Sequence, residues 1–499
     1  MNSPLLAGLD IGTTGCKVTV YRPDGTSLGR VYRDYPASRT ASEHEVDAGL
    51  IWQAVQEVLA EAAQKHPGLS GIGVTSFGES FVLLDDADTP LQNVMLYTDP
   101  RGEEECARLC EALGRDHLAN ITGLNPHSMY SIGKLMWIKE HRPERWSRTR
   151  RVCLMEDYIV YNLTGVAQID YALASRTMAF DIRSLRWSQE ILDAAGILEA
   201  LLSRPVPTGH SAGAMKPALT ARLGLAGEPL VLSCGHDQVA AAVGSGVFDD
   251  GTAVDGAGTV ECITPVFTGI PENNNLIQGS YAIVPYVEPG KYVCYAFSFT
   301  GGALVKWFTE TLAGYAATSA SQRGVSLYHE LEGTTPLDEP TGLLVLPHFA
   351  GAATPYMDTG SKGAILGLTL ATTQQELHLG IMEGVCYEMQ VNLNRLTQAG
   401  LNVRSLRATG GGANSRVWLQ MKADVLGVPV TALASAEAGG MGSAMMAAVG
   451  LGLYGDLREA ARAMVKERET YYPRQAVHEK YQEYFAKYER LYDAVRPLV

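Results

Sequence analysis

An isolated carboxylate, Asp237, sits in the run GHDQVAAAVGSGV (235–247), with no second acid and no Lys or Arg beside it. If it does chemistry it works alone, on a group brought to it. Two Gly/Thr-rich turns, Gly12-Thr13-Thr14-Gly15 and Gly256-Ala257-Gly258-Thr259, each lie between strand-like runs. Such turns offer backbone N–H groups with little side-chain obstruction, plus hydroxyl donors, which is what polyanion binding requires. A third cluster, ATGGGANS (408–415), follows a strand pattern and precedes a helical one. Three glycines in that place suit close backbone approach to a flat ligand, or to the positive end of a helix dipole.

Other chemistries are set aside by context. GHSAG at 209–213 matches a hydrolase nucleophile elbow, but Pro205 and Pro207 spoil the strand it needs and Pro217 interrupts the following helix. No Walker A loop exists around Gly133-Lys134, because Leu135 follows the lysine and Ser128 stands five residues before the glycine. No GxGxxG turn opens a helix, which excludes a Rossmann dinucleotide site.

The composition is that of an ordinary soluble chain, with 499 residues, 46% hydrophobic and 19% charged. A formal charge of -14 argues against a nucleic-acid partner. The eight cysteines are scattered, with only Cys106 and Cys110 at helical spacing and no partner pair for zinc. The first residues form no signal peptide, so a cytoplasmic protein with reduced cysteines is expected. The apolar stretch 438–454 is mostly Gly and Ala, and reads as a tightly packed buried helix with no membrane role.

The elements that must position these residues follow from periodicity. A strand at 5–9 leads through the first glycine turn into a hairpin closed by Pro23-Asp24-Gly25, then a helix near 47–65 and strands at GIGVTSF and SFVLLD. Residues 251–266 repeat the strand, glycine turn, strand pattern, which implies duplicated domains. The expected division is 1–247, 248–455 and a helical tail, 456–499, docked on the second domain. Tyr481, Tyr484, Phe485, Tyr488 and Tyr492 share one face of that tail.

In this order, DIGTTGCK, YTDPRG, TGLNP, KLMWIKEHRPE, EDYIVYNLTG, GHDQVAAAVGSGV, SFTGGALVKWF, EGVCYEMQ and ATGGGANSRVWLQMKADVLGVPV resemble the FGGY carbohydrate kinases, relatives of actin, hexokinase and the heat-shock ATPases. The resemblance implies an α/β fold of two duplicated actin-like (ribonuclease H-like) domains with a central nucleotide cleft that closes on its substrates. It implies ATP and magnesium, with Asp237 as the base that takes a proton from a sugar hydroxyl. Asp10 would orient the metal. Gly12, Thr13, Thr14 and Lys17 would line the first phosphate turn, Gly258 and Thr259 the second, and Gly411, Gly412 and Asn414 would face adenosine. Gly78, Glu79, Met129, Asp237 and Gln238 would hold the sugar. A competing reading makes Asp237 only a helix N-cap.

Substrate choice stays open. Glycerol kinases carry Arg-Glu where Gly78-Glu79 stands, and xylulokinases Met-His. Gly78 is expected to leave a roomier pocket, suited to a ketopentose such as xylulose. A sugar acid such as gluconate is disfavoured unless a basic group offsets Glu79. Another polyol, or a non-catalytic actin-like ATPase, is the remaining alternative. A small-molecule sugar is the expected partner, with no membrane partner and a homodimer left open.

Overall fold

Leu5–Ile11 (β1) and Gly15–Tyr21 (β2) pair antiparallel across the first glycine turn, and Ser27–Asp34 (β3) returns to pair with β2. Gly25 takes φ +82° in the intervening turn, a conformation that suits glycine. Helix α1 (Ala48–Lys65) begins where Asp47 accepts from the N–H groups of Gly49 and Leu50, and it buries Ile51, Val55, Val58 and Leu59. β4 (Leu69–Ser76) then joins β1 in parallel.

Next come α2 (Ser131–His141), α3 (Met155–Thr164), β5 (Gln168–Asp170) and α4 (Tyr171–Ser175), of which α2, β5 and α4 later place side chains. β6 (His210–Ala214) and β7 (Leu230–His236) complete the sheet, and α5 (Asp237–Gly244) leaves β7 without a loop. The strand order is β6-β7-β4-β1-β2-β3. β7 runs parallel to β4, and β6 lies antiparallel at the edge. These coordinates are a computed structural model that describes residues 4–333 and 338–499.

The pattern recurs farther along. β8 (Thr252–Ala257) and β9 (Glu261–Thr268) form an antiparallel hairpin, and β10 (Ala296–Ser298) pairs with β9. After α6 (Gly302–Thr311) and the buried α7 (Gln374–Gln398), β11 (Ser405–Thr409) joins β8 in parallel. Helix α8 (Arg416–Leu426) leads to β12 (Val430–Leu433), parallel to β11. β13 (Glu467–Tyr471) closes this edge antiparallel to β12. Antiparallel, antiparallel, parallel, parallel, antiparallel is the same sequence of pairings as in the first sheet. The duplication read from the sequence is therefore present in the fold.

The chain divides into two compact units: Met1–Phe248 with Ala282–Val293 and Glu437–Val465, and Asp249–Tyr281 with Cys294–Ala436 and Lys466–Val499. The expected second domain, 248–455, is cut differently by this division. Residues 437–455 belong with the first unit because of α9 (Ala438–Gly450), whose glycines let backbone touch backbone. A Cβ built on Gly442 would overlap the Ala240 carbonyl of α5, one on Gly244 the Ala438 carbonyl, and one on Gly8 of β1 the Gly440 carbonyl. Residues 282–293 join the same unit, with the Ile283 N–H donating to Gly123 O and the Tyr286 hydroxyl to Val247 O. Only 466–499 of the expected tail lies in the second unit. There α10 (Gln475–Tyr488) buries Tyr481, Phe485 and Tyr488, and the Tyr488 hydroxyl donates to Glu388 of α7 at 2.6 Å.

Among the described residues no helix is long and apolar enough to cross a membrane. GHSAG lies on and beside the edge strand β6, where the ladder is irregular between Ser211 and Gly213, so it forms no strand-to-helix elbow.

The α5–α9 contact tolerates no added methyl, since a packed interior cannot make room for one without shifting backbone. Gly442→Ala is expected to cost about 2–3 kcal/mol in urea unfolding. Gly227→Ala, where a Cβ meets open space, is expected to stay within ~0.5 kcal/mol.

Candidate active site

Three neighbouring parallel strands, β1, β4 and β7, each deliver an acid at the C-terminal end: Asp10 within β1, Glu79 just past β4, and Asp237 immediately after β7. Ligand sites of open α/β sheets lie at such ends.

Asp10 faces Lys17 across the β1–β2 pair, with Lys17 Nζ at 3.2 Å from Asp10 and 2.7 Å from Glu437. Arg30 reaches the same Glu437 at 2.9 Å. Burial raises the Asp10 carboxyl above its usual range despite Lys17. Burial opposes the Lys17 charge, but Asp10 and Glu437 outweigh it and raise its pKa. Lys17 is thus tied to two acids at the base of the first turn. Above it, the Gly12 N–H is spent on Gly15 O, whereas the N–H groups of Thr13 and Thr14 make no hydrogen bond among the described residues. They are the donors left for an anion.

Glu79 is buried and takes φ +66°, an uncommon backbone for a non-glycine residue. The Ser131 hydroxyl of α2 donates to its carbonyl at 2.5 Å. Arg176, at the C-terminal end of α4, donates through Nε (2.7 Å) and Nη2 to one oxygen of its carboxylate. The guanidinium also lies over the Tyr130 ring, 5.1 Å from its centroid. The expectation of a roomier pocket at Gly78 changes here. A Cβ on Gly78 would meet His236 at 3.0 Å and the Arg176 stem at 3.1 Å. The glycine therefore lets these side chains close in; it does not enlarge the pocket. The ring that reaches the Glu79–Arg176 pair belongs to Tyr130, while its neighbour Met129 is half-buried, its N–H bonded to the His127 ring.

Asp237 is the first residue of α5, and His236 occupies the N-cap position, so the simple capping reading fails. About a third of the side chain is exposed (34%), yet protein surrounds the rest. Burial, then the like charges of Asp10 and Glu79, push its pKa up to about 7, against hydrogen bonds from Gln238. The His236 ring lies 3.4 Å away, but burial and Arg176 hold its pKa well below normal, so it stays neutral and supplies no counter-charge. Tyr97 shares this environment, its hydroxyl raised by burial and by Glu79 and Asp237.

In the second unit, Gly258, Thr259 and Val260 are exposed at the tip of the β8–β9 hairpin. The Gly258 N–H is used by Val260 O. The turn is stitched to the start of α6, with Gly302 N–H donating to Gly258 O and Ala303 N–H to Thr259 O. Gly410 packs on this hairpin, since a Cβ there would lie 2.7 Å from Ala257 O. Gly411 faces open space and is exposed, as is Asn414, while Gly412 presses on Ala257 and Trp418. Beneath the turn lies a charge cluster that no local pattern announced. Lys422 of α8, buried, donates to Asp255 of β8 at 2.6 Å and also to Glu261 of β9. Burial and Asp255 raise the Glu261 carboxyl well above its usual range, against Lys422.

Residues 5–244 match the N-terminal domain of the FGGY family of carbohydrate kinases, and residues 263–451 its C-terminal domain. The chain is similar to a xylulose kinase of Bacillus subtilis (strain 168), 26% identical over 98% of this chain and 97% of that protein. It is similar to a glycerol kinase of Symbiobacterium thermophilum, 30% identical over 94% of each chain. The solved gluconate kinase of Lactobacillus acidophilus shares the fold, with a TM-score of 0.88 at 24% identity over 98% of each chain. Two glycine-turned sheets, a lone acid after β7 and these whole-length matches lead to one conclusion: the chain belongs to the FGGY family of carbohydrate kinases, ATP-dependent phosphotransferases.

Proposed function

We propose that this kinase phosphorylates a neutral polyhydroxylated sugar, a ketopentose such as xylulose, with Asp237 as general base. One observation carries the reading. Of the three gathered acids, Asp10 is paired with Lys17 and Glu79 with Arg176, while Asp237 has no cationic partner among the described residues. It is left with a pKa of about 7, near where a base is most effective. Ionised Asp237 accepts the proton of the sugar hydroxyl as that oxygen bonds to the γ-phosphorus, and ADP departs. The chemistry needs positioning and charge neutralisation more than covalent help from the protein.

In the first unit Thr13 and Thr14 would be phosphate donors; in the second, Thr259 would donate and Gly258, its N–H already spent on Val260 O, would leave room for close approach, with Gly411, Gly412 and Asn414 as the adenosine contacts. Asp10, a hard oxygen donor beside the first turn, fits magnesium, which would supply charge neutralisation to the phosphates. Glu79 and Gln238 would accept from and donate to sugar hydroxyls, with Tyr97 and Tyr130 as walls.

The xylulose reading draws on the B. subtilis relative's name and on the lack of an arginine at position 78, where glycerol kinases have one. A second reading gains support from Arg176. It is the basic group that offsets Glu79, so the objection to a sugar acid such as gluconate weakens. The unpaired Asp237 still favours a neutral acceptor. A coupled ATP-consumption panel of ketoses, polyols and sugar acids separates these. The highest kcat/KM is expected for a ketopentose; gluconate at the head would install the second reading, and glycerol at the head would remove both.

Asp237→Asn should lower kcat by ~10²-fold or more with both KM values little changed. Turnover near the parent's would reject the base assignment. The sign of the pH dependence is fixed by the base being active only when ionised. Log kcat/KM should rise with unit slope below about pH 7 and level above it. In Glu79→Gln one like charge near Asp237 is gone, so the limb should move to lower pH. An upward or absent movement would count against electrostatic tuning by Glu79.

A further inference from the structure

The base and the Glu79–Arg176 pair come from different elements, and something must register one against the other. We propose that Asp170 is the positioning residue that does so, by joining the start of α4 to the end of β7. The inference rests on the reading of Asp237 as base and goes beyond it, since Asp170 touches neither reactant.

Asp170, the last residue of β5, is completely buried. Its Oδ1 accepts from the N–H groups of Ala172 (2.7 Å) and Leu173 (3.2 Å), capping α4. That helix has five residues, and the next residue is Arg176. Fixing the first turn of so short a helix fixes where the guanidinium stem departs. On its other side the carboxylate lies against Gly235. A Cβ there would be 2.6 Å from Oδ2 and 2.7 Å from Oδ1. The Asp170 carboxylate thus occupies the volume a side chain at 235 would need, two residues before Asp237. Gly235, the next-to-last residue of β7, takes φ +83° just before His236 and Asp237. Two further bonds hold the junction: Thr208 Oγ1 donates to Asp170 Oδ1 at 3.0 Å, and Thr75 Oγ1 of β4 donates to Gly235 O at 2.7 Å. β4 in turn leads to Gly78 and Glu79. A wholly buried acid is costly to hold unless donors converge on it, as they do here. One carboxylate therefore contacts the two segments that carry Arg176 and Asp237.

Misplacing reacting groups by about 1 Å can cost ~10²-fold in rate. Asp170→Ala should lower kcat by ~10-fold to ~10²-fold and raise the KM of the acceptor by ~10-fold, with the KM of ATP within about twofold of the parent. The probe is D-xylulose, or whichever panel acceptor turns over faster. Asp170→Asn, which keeps the cap acceptor and the volume, should recover most of what Ala loses. Gly235→Ala drives a methyl into the same carboxylate, so its loss and that of Asp170→Ala should combine to less than their sum. If Asp170→Ala fails to fold, Thr208→Val must give the same pattern at smaller size. Equal rises in both KM values, failure of Asn to recover activity, or additive losses in the double variant would each overturn the proposal. Asp237→Asn, measured alongside, reports separately on the base: if it keeps turnover, that assignment falls, while the split between the two KM values still decides the role of Asp170.

Discussion

Like-charge crowding at the ends of β1, β4 and β7 is the constraint around which the first unit is arranged. Asp10, Glu79 and Asp237 repel one another in a region where protein replaces water, and effective dielectric screening is weaker there. Two cations, Lys17 and Arg176, relieve two of the acids. Both are themselves held in place, Lys17 by Glu437 and Arg176 by stacking on Tyr130. The unrelieved charge falls on Asp237. Burial first, and then this like-charge arrangement, push its pKa up to about 7, although a carboxylate at a helix N-terminus would otherwise be favoured as the anion.

The same arrangement weakens the fold in one pH window. A carboxyl with a raised folded pKa binds its proton more readily in the native state than in the unfolded one. Between the unfolded value near 4 and about 7, the native state holds the extra proton, so this group's contribution to stability falls as pH climbs. Above about 7 the cost is fully present. Close packing of α9 on β1, β4 and α5 tolerates such a cost, because its glycines and alanines leave no volume into which the site can relax. Rigidity under the acids keeps their separation, and hence the proton affinity of Asp237, fixed.

What the sequence disclosed follows from range. The glycine turns, Asp237 and the strand–turn–strand duplication are local patterns, and each is where the periodicity places it. Arg176 pairs with Glu79 across 97 positions, and Lys422 with Glu261 and Asp255 across 161 and 167. Nothing local marks either cation, because an arginine or lysine near a helix end is usually a solvated one. The reading of Gly78 as added room went astray for a related reason. A missing side chain opens space only if no neighbour moves in, and His236 and Arg176, both distant in sequence, do move in. The affiliation of residues 437–455 was hidden likewise, since small residues mark a close helix without naming what it packs against. Leu5–Ile11 and Gly15–Tyr21, by contrast, announce both themselves and their pairing through alternation and a tight turn.

Duplication followed by charge divergence explains why one fold appears twice with different work. The strand ends of the first unit carry acids; the corresponding ends of the second carry Gly258, Thr259 and the glycines after β11. The second unit does contain charge close by, but Lys422 pulls Asp255 and Glu261 beneath the hairpin, where they brace its two strands. What remains at the exposed hairpin tip, Gly258 and Thr259, is neutral backbone and hydroxyl. A kinase needs one region that tunes a carboxylate and another that receives a polyanion without repelling it. Under the proposed assignment, exposed acids after β8 would repel phosphate at Gly258 and Thr259, and a glycine at 237 would remove the proposed base. The pairing pattern of the two sheets is therefore free to stay the same, because the division of chemistry is written in the few residues that follow each strand.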